Sequence, residues 1–333
     1  MELYEYARPA LFASKKILFV HGFASSGQNG TVKTMRLLMP QATVIAPDVP
    51  VDPHEAIHFL RDIVASEQPD LIVGTSMGAM YAEMLTGVDR ILVNPAFELA
   101  DTIQKNNGLG RQEFHSPRQD GQKDFLVNKA LLEAFRDVSS HCFENPDDEH
   151  VWALFGTKDT LVNTYPLTSQ HYSRCIHFVG EHYLNDSTFL HAVLPVIQMI
   201  DDRQNGRSKP SIVFSFDDVL RFSHNQEEVA ASPRSVHALA ELYDLQFVIA
   251  AAHDEWETAL QKKSWIEEHI GVPAWGRIIL TSRKDLVLGD YLIDAHPDRF
   301  CGSDFMGTLI HFGSDGFKDW PEVMTYFSRL GGQ

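Results

Sequence analysis

Between the apolar run Asp70–Val73 and the helix-compatible run Ala79–Leu85 stands Gly74-Thr75-Ser76-Met77-Gly78, and no other stretch restricts the fold as tightly. A strand that turns straight into a helix here has room only for glycine at both ends of the turn, because a Cβ at either place meets the neighbouring strand or helix. Ser76 then sits at the apex of a strained strand–turn–helix corner. The pentapeptide therefore predicts a sheet of parallel strands joined by helices, with one serine held out at the strand's C-terminal end.

The rest of the chain keeps that rhythm. Apolar runs of strand length recur at Ile17–Val20, Thr43–Ala46, Leu71–Val73, Ile91–Val93, Val151–Phe155 and Cys175–Val179, with helical patterns between several of them. His54–Ser66 is one such helix, with Pro53 at its start and Ala56, Ile57, Leu60, Ile63 and Val64 in one stripe. Residues Ala96 to Asp148 are polar, broken by Asn106-Asn107-Gly108 and Pro117, and predict a lid-like insertion above the strand ends with a helix around Phe125–Phe135. The run Asp201–Pro210 lacks large apolar residues and reads as a linker, assigned to 204–210 between a domain over 1–203 and a second over 211–333. Strand patterns resume at Ser211–Phe216, Gln246–Ala251 and Arg277–Leu280, with helices at Ser235–Tyr243 and Glu255–His269. The fold class is α/β throughout.

A chain of 333 residues, 44% hydrophobic and 22% charged, is long enough for two cores. Its 45 acidic against 28 basic residues give a formal charge of -17, which repels phosphate backbones and anionic membranes, so neither nucleic acid nor a membrane is expected as a partner. Cys142, Cys175 and Cys301 form no C-x-x-C pair, the first residues lack an apolar signal core, and no run reaches the roughly 20 apolar residues of a membrane span. A reducing, cytoplasmic setting is expected.

The chemistry follows from the elbow. A serine in the G-x-S-x-G corner is the nucleophile position of an α/β-hydrolase, and acyl transfer there needs an oxyanion hole, an acid and a histidine in that chain order. The strand Ile17–Val20 runs into His21-Gly22-Phe23-Ala24-Ser25-Ser26-Gly27, so the oxyanion donors are assigned to Phe23 or Ala24 and to Met77, with His21 a structural residue of the loop. Val151–Phe155 ends at Gly156-Thr157-Lys158-Asp159 and Cys175–Val179 at Gly180-Glu181-His182, which nominates Asp159 as the acid and His182 as the base. Asp186 is a rival acid, and His177 and His191 are rival bases. Gly74 and Gly78 frame the elbow.

With these residues in view, 16–200 resembles the small bacterial esterases of the YqiA/YcfP type, in ILFVHGFASSG, LIVGTSMGAMYAEML, ILVNPAF, FGTKDTLV and FVGEHYL. The resemblance implies a carboxylesterase or thioesterase acting on a small-molecule acyl ester without metal or organic cofactor. The polar insertion after Phe97 departs from that family.

Residues 211–330 carry a second resemblance. SIVFSFDDVL, KKSWIEEHIG, GRIILTSRKDLVLGDYLID and GTLIHFGSDGFKDWPEVMTYF look like the 5'-deoxyribonucleotidase branch of the haloacid-dehalogenase superfamily. The resemblance implies a smaller Rossmannoid domain, in which Ser215 stands where the attacking aspartate belongs and Asp217 where the general acid belongs, and the roughly 30 residues between the first two motifs leave no room for that family's helical cap, so a capless domain is expected. Lys284 then matches the charge-neutralising lysine, Asp290 and Asp294 the metal-proximal acids, and Ala295 replaces one further acid. A serine nucleophile position removes covalent attack and a magnesium ligand together, which leaves at most a weak magnesium site at Asp217 and Asp294. The expected activity is ester or thioester hydrolysis at Ser76. A magnesium-dependent nucleotide phosphatase in the second domain is the alternative, as is a nucleotide-binding or scaffold module that regulates the esterase or pairs chains into a homo-oligomer.

Overall fold

Strand segments as apolar as those of the N-terminal region are stable only where both faces of the sheet are covered, and the computed structural model shows them so. It describes residues 3–221, 226–252 and 255–330. The chain divides into two units, Met1–Arg203 and Gln204–Gln333.

In the first unit β1 (Lys16–Val20), β2 (Thr43–Ile45), β3 (Leu71–Thr75) and β4 (Asp89–Val93) precede a short antiparallel pair, β5 (Gly110–Glu113) and β6 (Asp124–Val127), and are followed by β7 (Val151–Gly156) and β8 (Cys175–Phe178). Six of these form one parallel sheet in the order β2-β1-β3-β4-β7-β8. Ile17 to Val20, Leu71 to Val73 and Ile91 to Val93 are buried along their length. The connecting helices are α1 (Gly30–Leu38), α2 (Pro53–Glu67), α3 (Met77–Glu83), α4 (Leu99–Asn106), α5 (Lys129–Ser140), α6 (Tyr165–Thr168), α7 (Asp186–Thr188) and α8 (Leu194–Gln204). Local caps fix several starts: Asp52 accepts from the N–H groups of His54 and Glu55 at α2, and Asn29 from Val32 at α1.

The second unit holds β9 (Ser211–Ser215), β10 (Asp244–Ala250), β11 (Ile278–Thr281), β12 (Tyr291–Asp294) and β13 (Thr308–His311), all parallel in the order β11-β10-β9-β12-β13. Its helices are α9 (Gln226–Leu239), α10 (Trp256–His269) and α11 (Trp320–Leu330). Ile212, Phe214, Phe247, Ile293 and Ile310 form the centre of its core. Among the described residues no helix is long and apolar enough to cross a membrane.

Three sequence expectations are corrected. The helix expected over Phe125–Phe135 starts only at Lys129, because Asn128 adopts an extended backbone and its side chain caps the N–H of Leu131 at 2.8 Å, leaving Phe125 in β6. The run from Asp201 is not linker as far as Gln204. α8 continues through it, with Asp201 buried and its carboxylate 2.7 Å from Lys15 Nζ. Finally, the helix expected over Ser235–Tyr243 starts earlier and ends sooner, α9 running over Gln226–Leu239, and β12 and β13 are two further strands.

Candidate active site

The first site is built where β3 meets α3. Ser76 takes φ 54° and ψ -115°, a backbone state costly for any residue with a side chain. The flanking glycines explain how the corner closes: a Cβ on Gly74 would lie 2.4 Å from the carbonyl oxygen of Gly78, and one on Gly78 would lie 2.0 Å from that of Val20. A larger residue at either place would push α3 off the sheet.

Two later loops reach the serine. Ser76 Oγ is 2.9 Å from His182 Nε2, and His182 Nδ1 is 2.7 Å from Asp159 Oδ2. The second oxygen of Asp159 accepts from the N–H groups of Leu161 at 2.8 Å and Val162 at 3.1 Å. Burial alone would favour the protonated acid, but the hydrogen bonds from His182, Val162 and Leu161 outweigh it and hold the Asp159 carboxyl below the usual carboxylate range. Ionised Asp159 fixes the proton of His182 on Nδ1, leaving Nε2 as the acceptor facing the hydroxyl.

The loops themselves are held by a residue that sequence reasoning passed over. Asn94, at the end of β4 with φ 46°, donates from Nδ2 to the carbonyls of Glu181 and His182 at 3.0 Å each, and its Oδ1 accepts from the N–H of Gly156 at 2.7 Å. One buried amide thus ties the ends of β4, β7 and β8 together. Its only sequence signal is an Asn-Pro step closing an apolar strand.

The other nominated residues fall as follows. Phe23 lines the cavity beside Ser76, and Met77 opens α3 directly after the serine. The N–H groups of both donate to no described backbone acceptor. Ala24 has its carbonyl engaged by the N–H of His115 at 2.7 Å. His21 is a buried bridge: Nδ1 donates to the Gly22 carbonyl at 2.9 Å and Nε2 accepts from Val49 at 3.0 Å, and burial lowers its pKa to about 4. The rivals do not reach Ser76. Asp186 accepts from Thr34 Oγ1 at 2.6 Å, His177 packs on Tyr165, and His191 lies 3.4 Å from Ser187 Oγ.

The cavity at Ser76 measures 540 Å³. Leu99, Ile103, Leu161 and Phe23 give it an apolar side, while Ser25, Asn29, Thr31 and Asn185 give it a neutral polar side. No lysine or arginine is among the described residues lining it. The inserted segment supplies one wall through α4 and His115, and it is stitched to the loop after β1 by Ser26 Oγ to the Pro117 carbonyl at 2.8 Å and to the loop after β2 by Arg118 to the Val49 carbonyl at 3.1 Å.

The second unit places Ser215 at the C-terminal end of β9 and Asp294 at the C-terminal end of β12, both buried. Asp217 pairs with Lys262 at 2.8 Å, and Asp294 with Lys284 at 2.6 Å. Asp290 corrects the sequence expectation. It precedes β12, where its carboxylate accepts from the N–H and hydroxyl of Ser211 at 2.7 and 2.9 Å, so it lies about 13 Å along the strand from Asp294, at the opposite edge of the sheet. The magnesium that the resemblance implies does not fit this donor set. Ser215 offers a neutral hydroxyl, each remaining carboxylate is already matched to an ammonium, and no three His, Cys, Asp or Glu side chains converge among the described residues.

A parallel sheet in this order, with a serine on the corner after β3 and a carboxylate and an imidazole on the loops after β7 and β8, defines an α/β-hydrolase. The model of the uncharacterised protein family UPF0227 matches residues 16–198, more than half of the chain, and the chain belongs to that family. Residues 211–316 match the model of the cytosolic type C 5' nucleotidase, deoxy (pyrimidine) family, which makes the second unit haloacid-dehalogenase-like. A protein of Vibrio phage KVP40 provisionally named 5'(3')-deoxyribonucleotidase is 38% identical over 86 residues, 26% of this chain and 50% of the phage protein. A Staphylococcus epidermidis protein with the same provisional name is 27% identical over 123 residues, 34% of this chain and 68% of its own. The chain therefore spans about half the length of the phage relative. Among solved structures, the thioesterase domain from the curacin biosynthetic pathway is similar at 16% identity and TM-score 0.35, over 59% of this chain and 92% of that one. Est1E from Butyrivibrio proteoclasticus is similar at 13% identity and TM-score 0.39, over 59% and 88%.

Proposed function

We propose that the first unit hydrolyses carboxylic esters or thioesters of small molecules through an acyl-enzyme on Ser76. The observation that carries this reading is the continuous line of hydrogen bonds from Ser76 Oγ to His182 and on to Asp159, opening on a cavity.

In the first half-reaction Ser76 Oγ attacks the acyl carbon while His182 Nε2 takes the hydroxyl proton. The negative charge that develops on the acyl oxygen is received by the N–H groups of Phe23 and Met77, each such donor being worth about 3 kcal/mol to the transition state. Asp159 stabilises the imidazolium without becoming protonated. The tetrahedral centre collapses as His182 returns its proton to the departing oxygen or sulfur. Water then attacks the acyl-serine with His182 again as base, which releases a carboxylate and restores the hydroxyl.

The cavity lining supports a neutral substrate. With no cation in the wall and Asp186 at its edge, a leaving group that carries phosphates finds nothing to neutralise it. Leu99, Ile103 and Leu161 suit a short acyl chain. The test is labelling with a fluorophosphonate together with hydrolysis of short p-nitrophenyl esters. Ser76→Ala should lose both, and retention of either would reject the assignment.

A further inference from the structure

The alcohol half of an ester held at Ser76 has its place fixed by the proton it must receive. His182 returns that proton to the departing oxygen, so the leaving group lies beside the His182 loop. The acyl half lies toward α4. The N–H of Ala96 donates to the Ser76 carbonyl at 3.2 Å and so anchors the start of that helix at the elbow, and Leu99 and Ile103, one turn apart, are buried against the cavity. The cavity is therefore divided into an acyl side and an alcohol side.

The alcohol side has a different chemistry. Tyr183 follows the base directly, with its ring edge-on to the imidazole at 5.2 Å between centroids and 69% of the residue exposed. Asn185 and Asp186 come next. The bond from Thr34 Oγ1 to Asp186 Oδ1 at 2.6 Å draws the start of α7 against α1, which adds Thr31 to the same wall. Each of these residues has hydrogen-bonding capacity left over. Asn185 Oδ1 accepts from the N–H and hydroxyl of Thr188 at 2.9 and 3.2 Å, while Nδ2 donates to no described residue. Asp186 Oδ2, Thr31 Oγ1 and the Tyr183 hydroxyl are likewise unengaged among the described residues. A carboxylate oxygen that only accepts, an amide that donates and two hydroxyls that do both, grouped with one exposed ring, match an alcohol that has several hydroxyls of its own on a ring with apolar C–H faces. A simple alkyl alcohol would leave all four groups unanswered. A quaternary ammonium alcohol would answer the carboxylate and the ring, but neither the amide nor the hydroxyls.

We propose that the ester cleaved at Ser76 is an O-acyl carbohydrate, with the sugar ring laid on Tyr183 and its hydroxyls shared among Asp186, Asn185 and Thr31. The inference rests on the acyl-enzyme reading of Ser76 and names the alcohol that this reading leaves open. In the step itself the acyl C–O bond breaks, and the sugar oxygen takes the proton held on His182 Nε2 and departs as a free hydroxyl. Water then attacks the acyl-serine, which gives the carboxylic acid and restores the Ser76 hydroxyl.

Initial-rate kinetics with four acetates, which share one acyl group, test this. They are methyl glucopyranoside acetylated on its primary hydroxyl, cyclohexylmethyl acetate, acetylcholine and phenyl acetate. The sugar ester should exceed cyclohexylmethyl acetate, a ring of the same size without hydroxyls, by at least about tenfold in kcat/KM, with the larger part of the difference in KM, and should exceed acetylcholine by as much. Asp186→Asn, Tyr183→Ala and Thr31→Val should each lower the ratio of sugar ester to cyclohexylmethyl acetate about threefold or more, the ratio being taken within each variant so that a change in overall activity cancels. Equal kcat/KM for the sugar ester and cyclohexylmethyl acetate, a preference for acetylcholine, or variants that keep the parent's ratio would each overturn the inference and leave the reading of Ser76 standing. Hydrolysis of none of the four, phenyl acetate included, would overturn both.

Discussion

Each unit of this protein ends a strand of a parallel sheet on a serine, and the two serines differ in almost everything but composition. Ser76 stands at positive φ on a corner that glycines alone can close, with an imidazole nitrogen 2.9 Å away and a carboxylate behind it. Ser215 is the last residue of a regular strand, buried, with lysines and arginines in its cavity rather than a base. A hydroxyl is a poor nucleophile by itself, so the loop geometry around it decides whether a base stands within reach of its proton.

The largest effect that could break the contrast is at the two hydroxyls. Ser76→Ala should lower kcat/KM for a short ester by about 10⁴-fold or more, while Ser215→Ala should leave it unchanged. Loss of fluorophosphonate labelling in the Ser215 variant would reverse the roles of the two units. Asp159→Asn should cost about 10³- to 10⁴-fold in kcat with little change in KM, because the imidazole then loses its tautomer control. Asn94→Ala should cost about 10- to 100-fold in kcat by letting the Gly156 and His182 loops shift, and the loss should appear in kcat rather than in the pH at which activity rises.

The smallest effect concerns His21. Its folded pKa is lowered from 6.5 to about 4 by burial, so below pH 6.5 the unfolded chain binds a proton that the folded chain refuses. Stability is therefore fullest above pH 6.5 and falls by on the order of 3 kcal/mol as pH drops toward 4, where the folded ring also charges. His21→Asn should show lower stability at neutral pH but a shallower decline of Tm across that window.

What could be read from sequence was whatever is settled within a few residues or by chain order. Gly74, Ser76 and Gly78 are one local corner, and Asp159 and His182 each follow an apolar strand at the place the fold provides. The structure brings the side chains of Ser76, Asp159 and His182 into hydrogen-bond contact. Asn94 was not legible, because its three partners lie on loops that only the finished sheet brings near it. Asp290 was misplaced for a related reason: counting residues along a motif does not reveal which end of a strand they occupy, and its bond to Ser211 does. The Phe125–Phe135 stretch satisfied a helical pattern, but the polar side chain of Asn128 ended one element and began another.

The strand order of the first sheet bears on synthesis as well as on shape. Once β1 and β2 have paired, β3 joins beside β1 at the other edge and β4, β7 and β8 add there in turn, so the sheet grows in the direction the ribosome delivers it. Ser76 emerges early and His182 only after β8. A nascent chain halted before that point would carry the elbow without the imidazole that faces its hydroxyl, and the hydrogen bond between them waits until the last strand of the sheet has been made.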